Sequence, residues 1–149
     1  KEEDVRAMGR TAHGVRGITL EPGDEVIGME TITPDSTTAI LTVTEGGYGK
    51  RTPVNEYRVQ GRGGKGIISV KTTERNGPAV GFLQVRDEDE IMLMAAQGKV
   101  LRCKVDDIRE IGRNTQGVRL LDMDGDEDRV VAVVRLVERE EGVPEEGES

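Results

Sequence analysis

Apolar and polar positions follow the same order in two stretches of this chain. Ala39–Val54 is a short apolar run, a glycine turn at Gly47, and a second run; Glu90–Val105 repeats that order around Gly98. Two runs of strand length joined through a tight glycine turn predict a β-hairpin. In the second run of the later hairpin, Val100, Arg102 and Lys104 fall on one face and Leu101, Cys103 and Val105 on the other, as a period of two requires. Each hairpin is followed by a glycine- and arginine-containing loop and then by a third apolar segment, Ile67–Lys71 or Val118–Asp122. A fourth follows a further turn: Val80–Val85 after Asn76-Gly77-Pro78, and Val130–Leu136 after Gly125-Asp126. These eight segments predict two four-stranded units.

The units are copies of one repeat. Asp4–Ile18, Glu56–Val70 and Asp107–Leu121 align at offsets of 52 and then 51 residues. Within them an acid recurs at Asp4, Glu56 and Asp107, and an arginine at Arg6, Arg58 and Arg109. The pair Gly-Arg recurs at Gly9-Arg10, Gly61-Arg62 and Gly112-Arg113, and a later glycine at Gly14, Gly66 and Gly117. Four strands in a repeat of about 50 residues is the grammar of a propeller blade, and such blades need neighbours because one sheet cannot cover both of its own faces. The expected fold is therefore all-β: an array of four-stranded blades, with a partial blade over residues 1–36, blades over 37–87 and 88–137, and an acidic tail over 138–149 that is expected to be disordered. The first copy lacks its hairpin, so the array holds about two and a half to three blades.

Composition narrows the chemistry. With one cysteine, Cys103, and one histidine, His13, the chain can form neither an internal disulfide nor the usual zinc site. Cys103 lies on the apolar face, where an inert, buried thiol is expected. The only aromatic residues are Tyr48, Tyr57 and Phe82, too few for recognition by stacked bases. No apolar run approaches the roughly 18 residues that a membrane helix needs, and no signal peptide is recognised at the start. No nucleophile elbow, Walker loop or His-Glu-x-x-His pattern is present, so no catalytic or metal residue is expected. Asp122–Asp128 is rich in acids but lacks calcium-loop spacing and reads as a solvated turn.

The net charge of −8 is unevenly spread. Glu138–Ser149 holds six acids and one arginine; without it the body carries 20 basic and 23 acidic residues, a net of −3. Against this nearly balanced body the recurring arginines stand out. A turn explains glycine but not three arginines, and in Gln60–Gly66 four glycines surround Arg62 and Lys65. Bare backbone beside cationic side chains suits phosphate contacts, which position a protein on DNA without reading sequence. Ion pairing with the recurring acids is the competing account of Arg10, Arg62 and Arg113. A second basic set, Lys50, Arg51, Arg102 and Lys104, lies in the hairpins, either as solvated strand-edge charges or as further phosphate contacts.

The stretches Val5–Gly9, Gly14–Ile18, Gly47–Thr52, Gly66–Val70, Thr73–Gly77 and Gly112–Val118 closely resemble the C-terminal domain of bacterial DNA gyrase A. That resemblance implies a β-pinwheel, a propeller relative of six blades that exchange strands with their neighbours, with duplex DNA wrapped around the perimeter to favour negative supercoils. By position it implies perimeter phosphate contacts at Arg10, Lys50, Arg51, Arg62, Lys65, Arg102, Arg113 and Arg119. It also implies as partners the remainder of gyrase A and gyrase B, in a bacterial, cytoplasmic, nucleoid-associated enzyme. That enzyme's ATP, magnesium and catalytic tyrosine would lie outside this chain, which is expected to hold no cofactor. The family's hallmark box, Gln-Arg-Arg-Gly-Gly-Lys-Gly, is only approximated by Gln60–Gly66, where Gly61 replaces the first arginine. The expectation is a chain that starts within the fourth blade and ends at the natural C-terminus, with the box upstream and wrapping by this piece alone impaired. The corresponding C-terminal domain of topoisomerase IV and a propeller scaffold that binds no DNA are the alternatives.

Overall fold

A computed structural model describes residues 1–35 and 37–136. Its strands are β1 (Ala39–Thr44), β2 (Tyr48–Pro53), β3 (Ala79–Val85), β4 (Glu90–Ala95), β5 (Val100–Lys104), β6 (Val118–Arg119) and β7 (Val130–Leu136). Short 3-10 turns at Glu2–Asp4, Val54–Glu56 and Val105–Asp107 are the only helical elements among the described residues. Both expected hairpins form: β1 pairs antiparallel with β2, and β4 with β5. The fourth segments form as well, β3 against β1 and β7 against β4.

The third segments differ from expectation. Only Val118–Arg119 of Val118–Asp122 is a strand, and Ile67–Lys71 is not one. The reason is pairing, since a strand exists only where a neighbouring edge receives its backbone groups. β6 finds such an edge on β2, in the preceding copy, with Tyr48 opposite Arg119 and Gly49 opposite Val118. One sheet therefore runs β3-β1-β2-β6 and takes its outer strand from the next copy, while the other runs β5-β4-β7. Among the described residues no strand pairs with Ile67–Lys71.

The two sheets share one core. Leu41, Val43 and Val85 of the first pack with Ile91, Leu93, Ala95 and Val130 of the second, joined by Val105, Ile108 and Leu121. β3 and β7 approach so closely that a Cβ on Gly81 would strike Val133. Residues 1–35 contribute nothing to this core and are exposed almost throughout. They attach through hydrogen bonds and surface ion pairs, several of the bonds backbone to backbone. Thr19 donates its amide to Gly64 O at 2.8 Å, and Gly63 donates to Gly17 O at 2.7 Å. The next junction repeats the first of these bonds at equivalent positions, with Lys71 donating to Thr115 O at 2.9 Å. The link between copies thus persists even where no sheet forms.

β5 alternates as expected. Val100, Arg102 and Lys104 are exposed, Leu101 and Cys103 are half-buried against the core, and Val105 is buried. Burial pushes the Cys103 thiol up, with Asp107 and Glu90 adding to the effect, which suits an unreactive thiol. The tail's residues, Glu138–Ser149, lie outside the described residues.

Candidate functional site

The loop Gly112–Gln116 is laid against β2 of the preceding copy. Arg51 N donates to Arg109 O at 3.2 Å and Ile111 N to Arg51 O at 2.9 Å, and Thr52 Oγ1 donates to Ile111 O at 2.8 Å. The chain then turns at Gly117, whose φ of +81° is the left-handed conformation that glycine tolerates. Its repeat equivalents Gly14 and Gly66 adopt +83° and +79°. That recurring glycine is a backbone requirement. The glycines of the Gly-Arg pairs are different. None has positive φ, Gly9 and Gly61 face open space, and Gly112 would meet only Glu56 Oε2 at 3.7 Å.

The loop arginines all retain solvent exposure, to different degrees. Arg10 and Arg62 are exposed and Arg113 is half-buried. Arg62 Nε donates to Asp4 O at 3.1 Å and Arg113 Nη1 to Ile68 O at 2.8 Å, both backbone carbonyls. Among the described residues no carboxylate lies within ion-pair distance of Arg10, Arg62 or Arg113. The recurring acids do not neutralise them: among the described residues none of Asp4, Glu56 and Asp107 pairs with these arginines, and Glu56 accepts the Arg113 backbone amide at 3.3 Å. Lys65 is exposed and reaches Glu21 at 3.5 Å, a weak surface pair.

The hairpin set divides. Arg102 is exposed and pairs with Glu90 across the β4–β5 ladder. Its repeat equivalent Arg51 is only 7% exposed. There Nε donates to Ile108 O at 2.6 Å and Nη1 bonds Asp87. Lys50 is fully buried at 0% exposure. Its Nζ donates to Gly112 O at 2.8 Å, Thr115 O at 3.2 Å, Thr115 Oγ1 at 3.0 Å and Arg113 O. Neither Lys50 nor Arg51 is a solvated edge charge, and neither presents its cation to the perimeter. β2 is interior to its sheet, lying between β1 and β6 and covered by the next copy's loop, so both side chains are committed to holding that copy. β5 has no such cover among the described residues, and the same position stays exposed there. Burial pushes the Lys50 ammonium down to about 8, with Arg113 adding to the shift and Glu56 opposing it.

Period and composition did not reveal the surroundings of Tyr48. Arg75 and Arg119 both lie over its ring, their guanidinium carbons 5.4 and 5.3 Å from the centroid. Arg119 donates to the phenol oxygen at 2.9 Å and pairs with Asp122 at 2.8 Å. The hydrogen bond from Arg119 holds the Tyr48 phenol below its ordinary pKa. Arg75 belongs to the Thr73–Gly77 turn, and only the fold brings it to β2. In the acidic stretch, Lys99 pairs with Asp124, and the buried Asp128 accepts the amides of Gln97 and Arg129 at 3.1 and 2.9 Å. Among the described residues no three metal-capable side chains converge.

A repeated hairpin unit, one copy of which completes a four-stranded sheet with a strand from the next, narrows the family sharply, and sequence comparison decides it. The family model for the DNA gyrase C-terminal domain, a β-propeller, matches residues 1–33, 38–86 and 89–136. The chain belongs to that family. DNA gyrase A of Staphylococcus aureus, strain NCTC 8325 / PS 47, is 46% identical over 147 residues, which is 99% of this chain. The same match covers only 16% of that relative, so the chain spans about a sixth of it. A solved DNA gyrase A C-terminal domain superposes with a TM-score of 0.81 at 30% identity, over 90% of this chain and 45% of the other. A DNA topoisomerase IV C-terminal domain superposes equally well, with a TM-score of 0.82 at 28% identity, over 91% and 42%. Shape alone thus does not separate the two enzymes, whereas the 46% identity over nearly the whole chain favours gyrase A.

Proposed function

We propose that this gyrase C-terminal segment binds the backbone of duplex DNA along its perimeter and helps to bend it, without sequence readout and without catalysing strand passage. The observation that carries the reading is the row of repeat-equivalent loop arginines, Arg10, Arg62 and Arg113, exposed or half-exposed and without carboxylate partners among the described residues. Lys65, Arg102 and Arg119 add cationic positions, each already sharing a carboxylate that a phosphate would have to displace. Lys50 and Arg51 support the surface from within. In the full-length protein this surface would serve a type II topoisomerase that introduces negative supercoils with ATP and magnesium, together with gyrase B, in the bacterial cytoplasm. The blade limits 37–87 and 88–137 follow the repeat, with the exchanged β6 crossing between them.

Titrating a fluorescent 40-base-pair duplex with the chain at several salt concentrations tests this. For B-DNA, log K should fall with log salt at about −0.9 per phosphate neutralised. Arg62→Ala and Arg113→Ala should each reduce that slope by about one, irrespective of DNA sequence. A flat salt response, as a DNA-free propeller scaffold would give, sinks the reading.

A further inference from the structure

A fully buried lysine beneath a surface loop calls for a reason, because burying an ammonium is costly unless its donors are met. Lys50 meets them entirely with the loop Gly112–Thr115, through three carbonyls and one hydroxyl. Every peptide here is trans, so each carbonyl drawn inward turns the amide of the following residue the opposite way. Carbonyls 112, 113 and 115 facing Lys50 therefore leave the amides of Arg113, Asn114 and Gln116 facing away from it. Glu56 takes the first. Among the described residues no acceptor receives the amides of Asn114 and Gln116, and both residues are exposed. Arg113 immediately precedes Asn114, and its guanidinium uses one of five N–H donors on Ile68 O.

We propose that Lys50 is the positioning residue of a phosphate seat, in which the outward amides of Asn114 and Gln116, with the Arg113 guanidinium, receive one phosphodiester of duplex DNA. The inference rests on the DNA-binding reading above and deepens it. The Thr115 amide between them turns inward to Arg113 O at 3.0 Å, so the seat is two alternate outward amides beside a charged side chain, donors whose hydrogen bonds an anion strengthens. Lys50 never touches the DNA. It holds the loop in the one arrangement that turns these amides out. The seat is particular to this junction, because the repeat equivalent of Lys50 in the next copy is Leu101.

The test measures affinity of the chain for a 40-base-pair duplex, with thermal melts confirming that each variant is folded. Lys50→Met keeps the length of the side chain and removes the charge. It should weaken binding about tenfold, the scale of one charge-assisted hydrogen bond. It should also lower the salt slope as Arg113→Ala does, and the double variant should bind no worse than either single one. The loss from Arg62→Ala should add in full on top of Lys50→Met. A readout that a purely structural lysine would not move is pH. The charged groups facing Lys50 are Glu56, from the 3-10 turn after β2, and Arg113, from the loop itself. Wild-type affinity should fall between pH 7 and 9 as the ammonium loses its proton, and Arg113→Ala should lack that fall. If Lys50→Met does not fold, the pH comparison alone decides. Wild-type binding by Lys50→Met, additive losses, or a flat wild-type pH profile each overturn the seat while leaving the perimeter reading intact. Loss of salt-dependent binding by the wild-type chain, or no effect of Arg62→Ala and Arg113→Ala, removes both.

Discussion

Gly117 carries two constraints at once. Its φ of +81° strains any residue with a side chain, and an added Cβ would sit 2.7 Å from Gly49 O across the β2–β6 pair. Gly117→Ala should therefore cost about 1–2 kcal/mol from conformation alone, and more from the contact, read as a lower urea midpoint. Gly61→Ala has neither penalty, since φ is not positive and nothing lies within 4 Å. It should leave stability within about 0.5 kcal/mol of wild type, as surface changes do. Lys50 sets a pH dependence whose sign separates stability from function. Its folded pKa, about 8, lies below the unfolded value near 10.5. Between those values the unfolded chain binds more protons, so this group raises the unfolding free energy as pH rises through that window. The fold should hold, or gain slightly, over the same rise toward pH 9 in which the proposed phosphate seat would lose DNA affinity. Denaturant midpoints at pH 7 and 9 check this.

At the scale of elements, β4 is the central strand of its sheet and supplies Ile91 and Leu93, both fully buried, to the core that the two sheets share. Leu93→Ala should cost about 2–5 kcal/mol through lost transfer and a residual cavity. Because the core spans both sheets, they should unfold in one transition, seen as coincident midpoints by far-ultraviolet dichroism and amide exchange. The hairpins were legible because their signal is local: period-two alternation around a glycine turn needs only neighbours in sequence. The third segments were not, because an outer strand depends on an edge elsewhere. Val118–Arg119 has β2, whereas Ile67–Lys71 carries a similar pattern and stays unpaired among the described residues.

Across the whole molecule, charge is the deciding quantity. The chain carries −8, of which −5 comes from Glu138–Ser149 (six acids against one arginine), so most of the repulsion that DNA meets arises from the last twelve residues. Deleting them should strengthen duplex binding, most at low salt where screening is weakest. Equal affinity of the full and shortened chains at low salt would refute that expectation.

The sequence by itself determined the repeat, the two hairpins, the all-β class and the family, because each is written in local periodicity or in the recurrence of residue types. It also marked the left-handed glycines and the loop arginines, through identity kept at a fixed offset. Only the tertiary structure decided which cations face solvent. Lys50 and Arg51 read as basic strand residues, as do Arg102 and Lys104 in the next hairpin. Yet among the described residues β2 is covered by the following copy and β5 is not, so the first pair is buried as internal donors and the second is exposed. Exposure depends on what covers an edge, and that is fixed by residues some sixty positions away in the chain.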